Sequence, residues 1–145
     1  VSDQHNDFGA AAPRKLMHTR QISCNGYQRE DGLWDVEGQL ADTRTWAAES
    51  RLGGAARAAG EPLHHMSLRL TLDDNFTILA AQALTQAAPY SECADISTRY
   101  AQLVGMRIEA GFSQAVKKMY RGASGCTHIT DLIGPVATTA LQMMR

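Results

Sequence analysis

The sequence predicts an α+β domain: a four-stranded antiparallel sheet made of two hairpins and covered on one face by three C-terminal helices. Three observations carry this reading. Apolar residues recur at period two through residues 14–43 and again through 63–85. Turn-forming residues, Asp31-Gly32 and Asp73-Asp74-Asn75, divide each of those runs in two. Beyond Pro89 the apolar spacing changes to three and four, the period of helices.

Residues 1–13 mix Asp, Asn, His and Ala without a basic start or an apolar segment, and a disordered arm is expected there. A single domain is expected over 14–145. Strand one, 14–28, sets Leu16, His18, Ile22 and Cys24 on one face. Asp31-Gly32 reads as a type I′ turn, which puts Tyr27 opposite Val36 and Arg29 opposite Trp34. Ile22 and Cys24 have the other parity from Tyr27, so this register requires a bulge, placed at Asn25-Gly26. Strand two, 33–43, sets Trp34, Val36 and Leu40 against an outer face of Asp35, Glu37 and Gln39. An Ala- and Gly-rich connection follows at 49–60.

Strand three, 63–73, carries His64, Met66, Leu68 and Leu70 on one face and His65, Ser67 and Arg69 on the other. Strand four, 76–85, returns with its register open to a one-residue slip. Three helical stripes complete the chain. The first is Cys93, Ile96, Tyr100, Leu103 and Val104, stopping at Gly105. The second is Phe112, Val116, Met119 and Tyr120, stopping at Gly122 as the C′ residue. The third is Ile129, Leu132, Ile133, Val136, Ala140 and Met143, with a kink expected at Pro135.

With 145 residues, 44% hydrophobic and 20% charged, the chain can bury an ordinary globular core, which excludes wholesale disorder. A net charge of −1 without any basic run leaves no electrostatic footprint for nucleic acid or an anionic membrane surface. The uncharged, mostly apolar stretch 132–144 is too short to span a bilayer. Three cysteines at irregular spacing do not make a disulfide framework, and a reduced, cytoplasmic protein is expected. No GxGxxG follows a strand, and no P-loop, CxxC or HExxH is present, so nucleotide-dependent chemistry has no support.

The residues that could carry chemistry are few. In Gly125-Cys126-Thr127-His128 a cysteine stands where an amphipathic helix begins, and the helix dipole with its unpaired N–H groups favours the thiolate. His128 could ligate a metal or take the thiol's proton. His64 shares the inward face with Met66 and Leu68, where an imidazole needs a partner or a metal, and Cys93 opens the helix after the sheet. The expectation is that His64, Cys93, Cys126 and His128 border one pocket and hold zinc or iron as a Cys2His2 set. The competing reading makes Cys126 a small core residue, Thr127 a helix cap and His64 a hydrogen-bonded core imidazole. Asp31, Asp35 and Glu37 read as a solvated strand face and not as paired catalytic carboxylates.

Several words of the sequence occur together in one known family. They are His18-Thr19-Arg20, Gly26-Tyr27, Asp31-Gly32-Leu33-Trp34-Asp35-Val36-Glu37-Gly38, Asp42-Thr43, His64 with Met66, Ala88-Pro89-Tyr90 with Cys93, and Gly125-Cys126-Thr127-His128. Over residues 14–145 the chain resembles an uncharacterised bacterial family, domain of unknown function 2889. It departs from that family at His65, where the family has an aspartate that could orient the neighbouring histidine. More distantly, 61–145 is similar to the iron–sulfur scaffold and sulfur-acceptor fold. That resemblance implies metal-binding cysteines near His64, at Cys93 and at Cys126, with His128 nearby. No cysteine stands near His64, so the resemblance implies a Cys2His2 zinc or iron site in place of a thiolate-rich cluster.

Three functions follow as expectations. The first is a metal-binding or sulfur-handling accessory protein. The second is a small enzyme with Cys126 and His128 as catalytic pair, acting on a small organic molecule. The third is a non-catalytic binding module. The partners expected are a metal or small molecule, not nucleic acid or a membrane, with a homodimer as one assembly open to it.

Overall fold

The period-two runs become four antiparallel strands in the spatial order β1-β2-β3-β4: β1 His18–Gln28, β2 Trp34–Arg44, β3 Pro62–Leu72 and β4 Ile78–Ala87. They are followed by a 3-10 helix, Ser97–Leu103, and by α1, Phe112–Met119, and α2, Thr127–Met144. The computed structural model describes residues 8–9, 11–46, 59–87, 97–121 and 127–145, with the backbone alone at 86–87, 97–98 and 127–128. The chain is therefore α+β. The expected arm at 1–13, apart from residues 8–9 and 11–13, and most of the 49–60 connection lie outside the described residues, as do Pro89, Cys93, Gly122 and Cys126.

One face of the sheet is the floor of the core. Val36 and Leu40 of β2 and Met66, Leu68, Leu70 and Leu72 of β3 are at most 1% exposed. Each such side chain, fully removed from water, contributes about 1.5–3 kcal/mol. The roof is α2, which packs on β1, β2 and β3 through Ile129, Leu132, Ile133, Val136 and Ala140. That stripe is the one read from the sequence, and α2 runs unbroken through Pro135. The opposite face carries Gln39, Arg69, Gln82 and Leu84 and is open to solvent, the half-buried pattern of an antiparallel sheet.

Among the described residues two α-helices follow the sheet, where three were expected. The first stripe forms the 3-10 helix instead. Its buried residues, Tyr100 and Leu103, are three apart, the repeat of a 3-10 turn, while Val104 is 47% exposed. Gly105, at φ +93, ends the segment as the sequence suggested. Tyr100 stacks on Tyr120 with ring centroids 4.3 Å apart and shares a 2.7 Å hydrogen bond with Thr130, so this short element is joined to both helices.

The first connection corrects the expected register. Pairing runs without a shift from His18 opposite Arg44 to Gln28 opposite Trp34, placing Gly26 opposite Val36. There is no bulge at Asn25-Gly26. A type I′ turn needs positive φ at two residues, and here only Gly32 has it, at +88. Gly32 N donates to Arg29 O (3.1 Å) and Arg29 N to Leu33 O (2.8 Å), a type I turn closed by one left-handed residue. The loop is one residue longer than a type I′ turn. That single residue puts Ile22, Cys24 and Gly26 on the core side together and leaves Tyr27 on the open face, 49% exposed.

The second connection has the same bonding. Phe76 N donates to Asp73 O (3.1 Å) and Asp73 N to Thr77 O (3.2 Å), and the left-handed position is taken by Phe76, at φ +64. The open register of β4 is settled by a bulge: Thr71 faces Ala80, but Leu72 faces Ile78. Leu79 is the extra residue, and skipping it turns Ile78 into the core. No helix among the described residues is long and apolar enough to cross a membrane.

Candidate functional site

The core-facing parity of β2 runs Val36, Gly38, Leu40 and then Asp42, a carboxylate only 1% exposed. A charge in that position must be matched by partners. The register supplies them. Arg20 of β1 and His64 of β3 are the residues directly opposite Asp42, and His18 lies two residues before Arg20 on the same face. Arg20 donates through Nε to Oδ1 (2.8 Å) and through Nη2 to Oδ2 (2.9 Å), a bidentate fork. His18 Nε2 is 3.2 Å from Oδ1, and His64 Nδ1 is 3.3 Å from Oδ2.

Burial pushes the Asp42 carboxyl up, but hydrogen bonds from Arg20 and His18 and the charges of Arg20 and His64 outweigh it and hold the group down at about 2. Asp42 is thus an anion throughout the neutral range. Asp42 Oδ2 meets Nδ1 of His64 as an ion-pair contact, which leaves Nε2 as the ring nitrogen through which His64 can ligate a metal or take a proton. His64 is 12% exposed, whereas His18 and Arg20 are 45% and 41% exposed, so the cluster is sealed from below and open at its β1 side.

The cluster is tied to α2. Arg20 Nη1 lies 3.4 Å from Asp131 Oδ2, one turn after the helix begins. The N-terminal end of α2 therefore lies at the same end of the sheet as Asp42 and His64. His128 belongs to the first turn of that helix by its backbone. Of the four residues expected to hold a metal, His64 alone has a described side chain, and it faces inward as expected. Cys93 and Cys126 lie outside the described residues. Cys24 is half-buried beneath α2, with Sγ near Gly38. Among the described residues, no group of three or more His, Cys, Asp or Glu is arranged to hold a metal ion.

The acidic residues of the first hairpin are held by ion pairs and a hydrogen bond. Asp31 meets Arg29 (2.6 Å), Glu37 meets Arg69 (3.4 Å), and Asp35 accepts from the Thr71 hydroxyl (2.7 Å). The centre of the site, Asp42 with Arg20, is what sequence reasoning missed as chemistry. Its signal was a carboxylate continuing an apolar parity, with Arg20 and His64 at matching parity on the neighbouring strands.

An open sheet roofed by one long helix, with an ionised carboxylate built into its floor, defines a small α+β domain with a polar site at one end of its core. The chain belongs to the family described as Protein of unknown function (DUF2889), whose model matches residues 18–142. That span begins at His18 and takes in the whole cluster. Neither a comparison with curated proteins nor one with solved structures gives a match.

Proposed function

We propose that this domain is a metal-binding accessory protein, holding zinc or iron through His64, Cys93, Cys126 and His128, with handling of sulfur as the associated role. The observation that carries the reading is the ionised Asp42 against Nδ1 of His64. Metal-ligating histidines are held by a carboxylate on the second ring nitrogen, and losing that carboxylate costs 10–100-fold in affinity. The departure from the family at His65 does not remove this support, because the carboxylate comes across the strand pair from Asp42. The tie between Arg20 and Asp131 adds to it by bringing the start of α2 to the same end of the sheet. Cys126 directly precedes Thr127, the first residue of that helix, and a helix dipole favours a thiolate ligand there.

The test is the metal content of protein purified under reducing conditions. Stoichiometric zinc or iron is expected, abolished in Cys126→Ser and bound about 10–100-fold more weakly in folded Asp42→Asn. Metal-free protein with all thiols reduced would overturn the reading. If such protein still alkylated selectively at Cys126 at neutral pH, the enzyme reading with Cys126 as nucleophile would replace it.

A further inference from the structure

β1 is an outer strand, and among the described residues nothing pairs with its free side. The ladder shows which groups point that way. Met17 O accepts from Thr45 N, and Arg29 N donates to Leu33 O, so the odd-numbered residues of this run bond towards β2. Antiparallel bonding alternates with period two. The even residues from His18 to Gln28 therefore turn both N–H and C=O outward.

Edges of this kind are usually blunted by proline, lysine, a bulge or a covering segment. β1 has no Pro or Lys over its eleven residues, and its pairing with β2 is unbroken. The other edge is protected in two ways. β4 has register shifts near both ends, and its start is covered by the chain after the 3-10 helix, where Ile78 N donates to Met106 O (2.8 Å) and Ile108 N to Phe76 O (3.0 Å). Apolar side chains also stand exposed along β1 and the residues leading into it: Leu16 53%, Met17 49%, Ile22 42% and Tyr27 49%.

We propose that β1 pairs with β1 of a second copy of this chain, antiparallel about a twofold axis, to give one continuous sheet across a homodimer. The strand is self-complementary in the one register that pairs its full length. Ser23 then faces Ser23 of the partner subunit on the axis, Ile22 faces Cys24 of the partner subunit, and Tyr27 faces Thr19 of the partner subunit. The only basic side chains of the strand are His18 and Arg20. They face Gln28 and Gly26 of the partner subunit, so no like charges meet. A contact built on one strand pair is at the small end of protein interfaces, so the assembly depends on concentration.

Two measurements test this on the full chain. Sedimentation equilibrium across the micromolar to millimolar range should show monomer giving way to dimer. Ile22→Lys, which places a cation beside the axis, should stay monomeric with the unfolding temperature of dilute wild type. Ser23→Cys should cross-link rapidly under mild oxidation, because directly opposite residues of a non-hydrogen-bonded pair lie about 4.5 Å apart at Cα, within disulfide reach. Asn25→Cys should not, since its copy lies four residues along the ladder, roughly 13 Å away. Wild type that remains monomeric throughout overturns the proposal and leaves the edge to a strand of another protein. Cross-linking of Asn25→Cys as fast as Ser23→Cys overturns it equally.

Discussion

Replacing Asp42 with asparagine removes one charge from a fully buried position and leaves the shape almost unchanged. The native carboxyl is held at about 2, against its ordinary value of 3.8. The native state therefore binds fewer protons than the unfolded chain between those values, and stability rises with pH across that window. The contribution is complete above about pH 4 and is lost as pH falls through about 2. It amounts to about 2 kcal/mol, after allowance for solvent screening of the half-exposed Arg20 and His18. Asparagine, like the protonated acid, can accept from Nε or Nη2 of Arg20 but not from both, so the bond given up is already within that figure. Asp42→Asn should thus lose about 2 kcal/mol at pH 7 in urea unfolding followed by circular dichroism. Its deficit relative to wild type should shrink towards zero as pH falls through about 2, where the wild-type carboxylate takes up its own proton. Equal stability at pH 7, or a deficit that stays constant with pH, would refute the assignment of Asp42 as a stabilising buried anion.

Two further outcomes follow from the packing. A methyl group added at Gly38 would lie 2.6 Å from Val136 Cγ2, so Gly38→Ala should cost about 1–3 kcal/mol. Val136→Ala should recover part of that loss in the double variant, and strict additivity in the mutant cycle would contradict the contact. Burial, and then the neighbouring Tyr100, push the Tyr120 phenol up to about 12. Stability from this group is complete below its ordinary value of 10 and fades as pH rises through about 12. The tyrosinate absorbance that rises near pH 12 should be reduced in Tyr120→Phe, and an unchanged titration would exclude Tyr120 as a source of it.

The apolar faces of β2 and β3, the core-side parity of Ile22 and Cys24 in β1 and the stripes of both α-helices were legible in the sequence, because burial imposes periods of two and 3.6 on any element with one wet side, while the face of β4 stayed open until its bulge fixed it. Turn geometry was less so. Asp31-Gly32 announced a tight reversal, but a glycine serves both a type I′ turn and a type I turn closed by a left-handed residue, and the difference of one residue decides every cross-strand neighbour. At the second connection the left-handed residue is Phe76, which carries no such signal; its ring packs on the core, and tertiary contact overrides backbone preference. The site was half legible. His64 was found by its inward parity, but Asp42 became visible only once the register set it between Arg20 and His64, information that belongs to pairs of strands and to no single one.

Gly26 and Gly38 have a consequence that reaches beyond their own contacts. A side chain at Gly26 would collide with Met143, and one at Gly38 with Val136, so the two bare backbone positions cut a slot in the sheet that receives the helix at two places, seven residues apart. Two such notches oppose sliding of the helix along the sheet. Asp131 lies five residues before Val136 on the same helix, so its reach to Arg20 depends on glycines of β1 and β2 as well as on the contact at the site itself. Substitutions in that slot should shift the far end of the helix against the Asp42 cluster, which makes alignment of the site a property inherited from the sheet's two smallest residues.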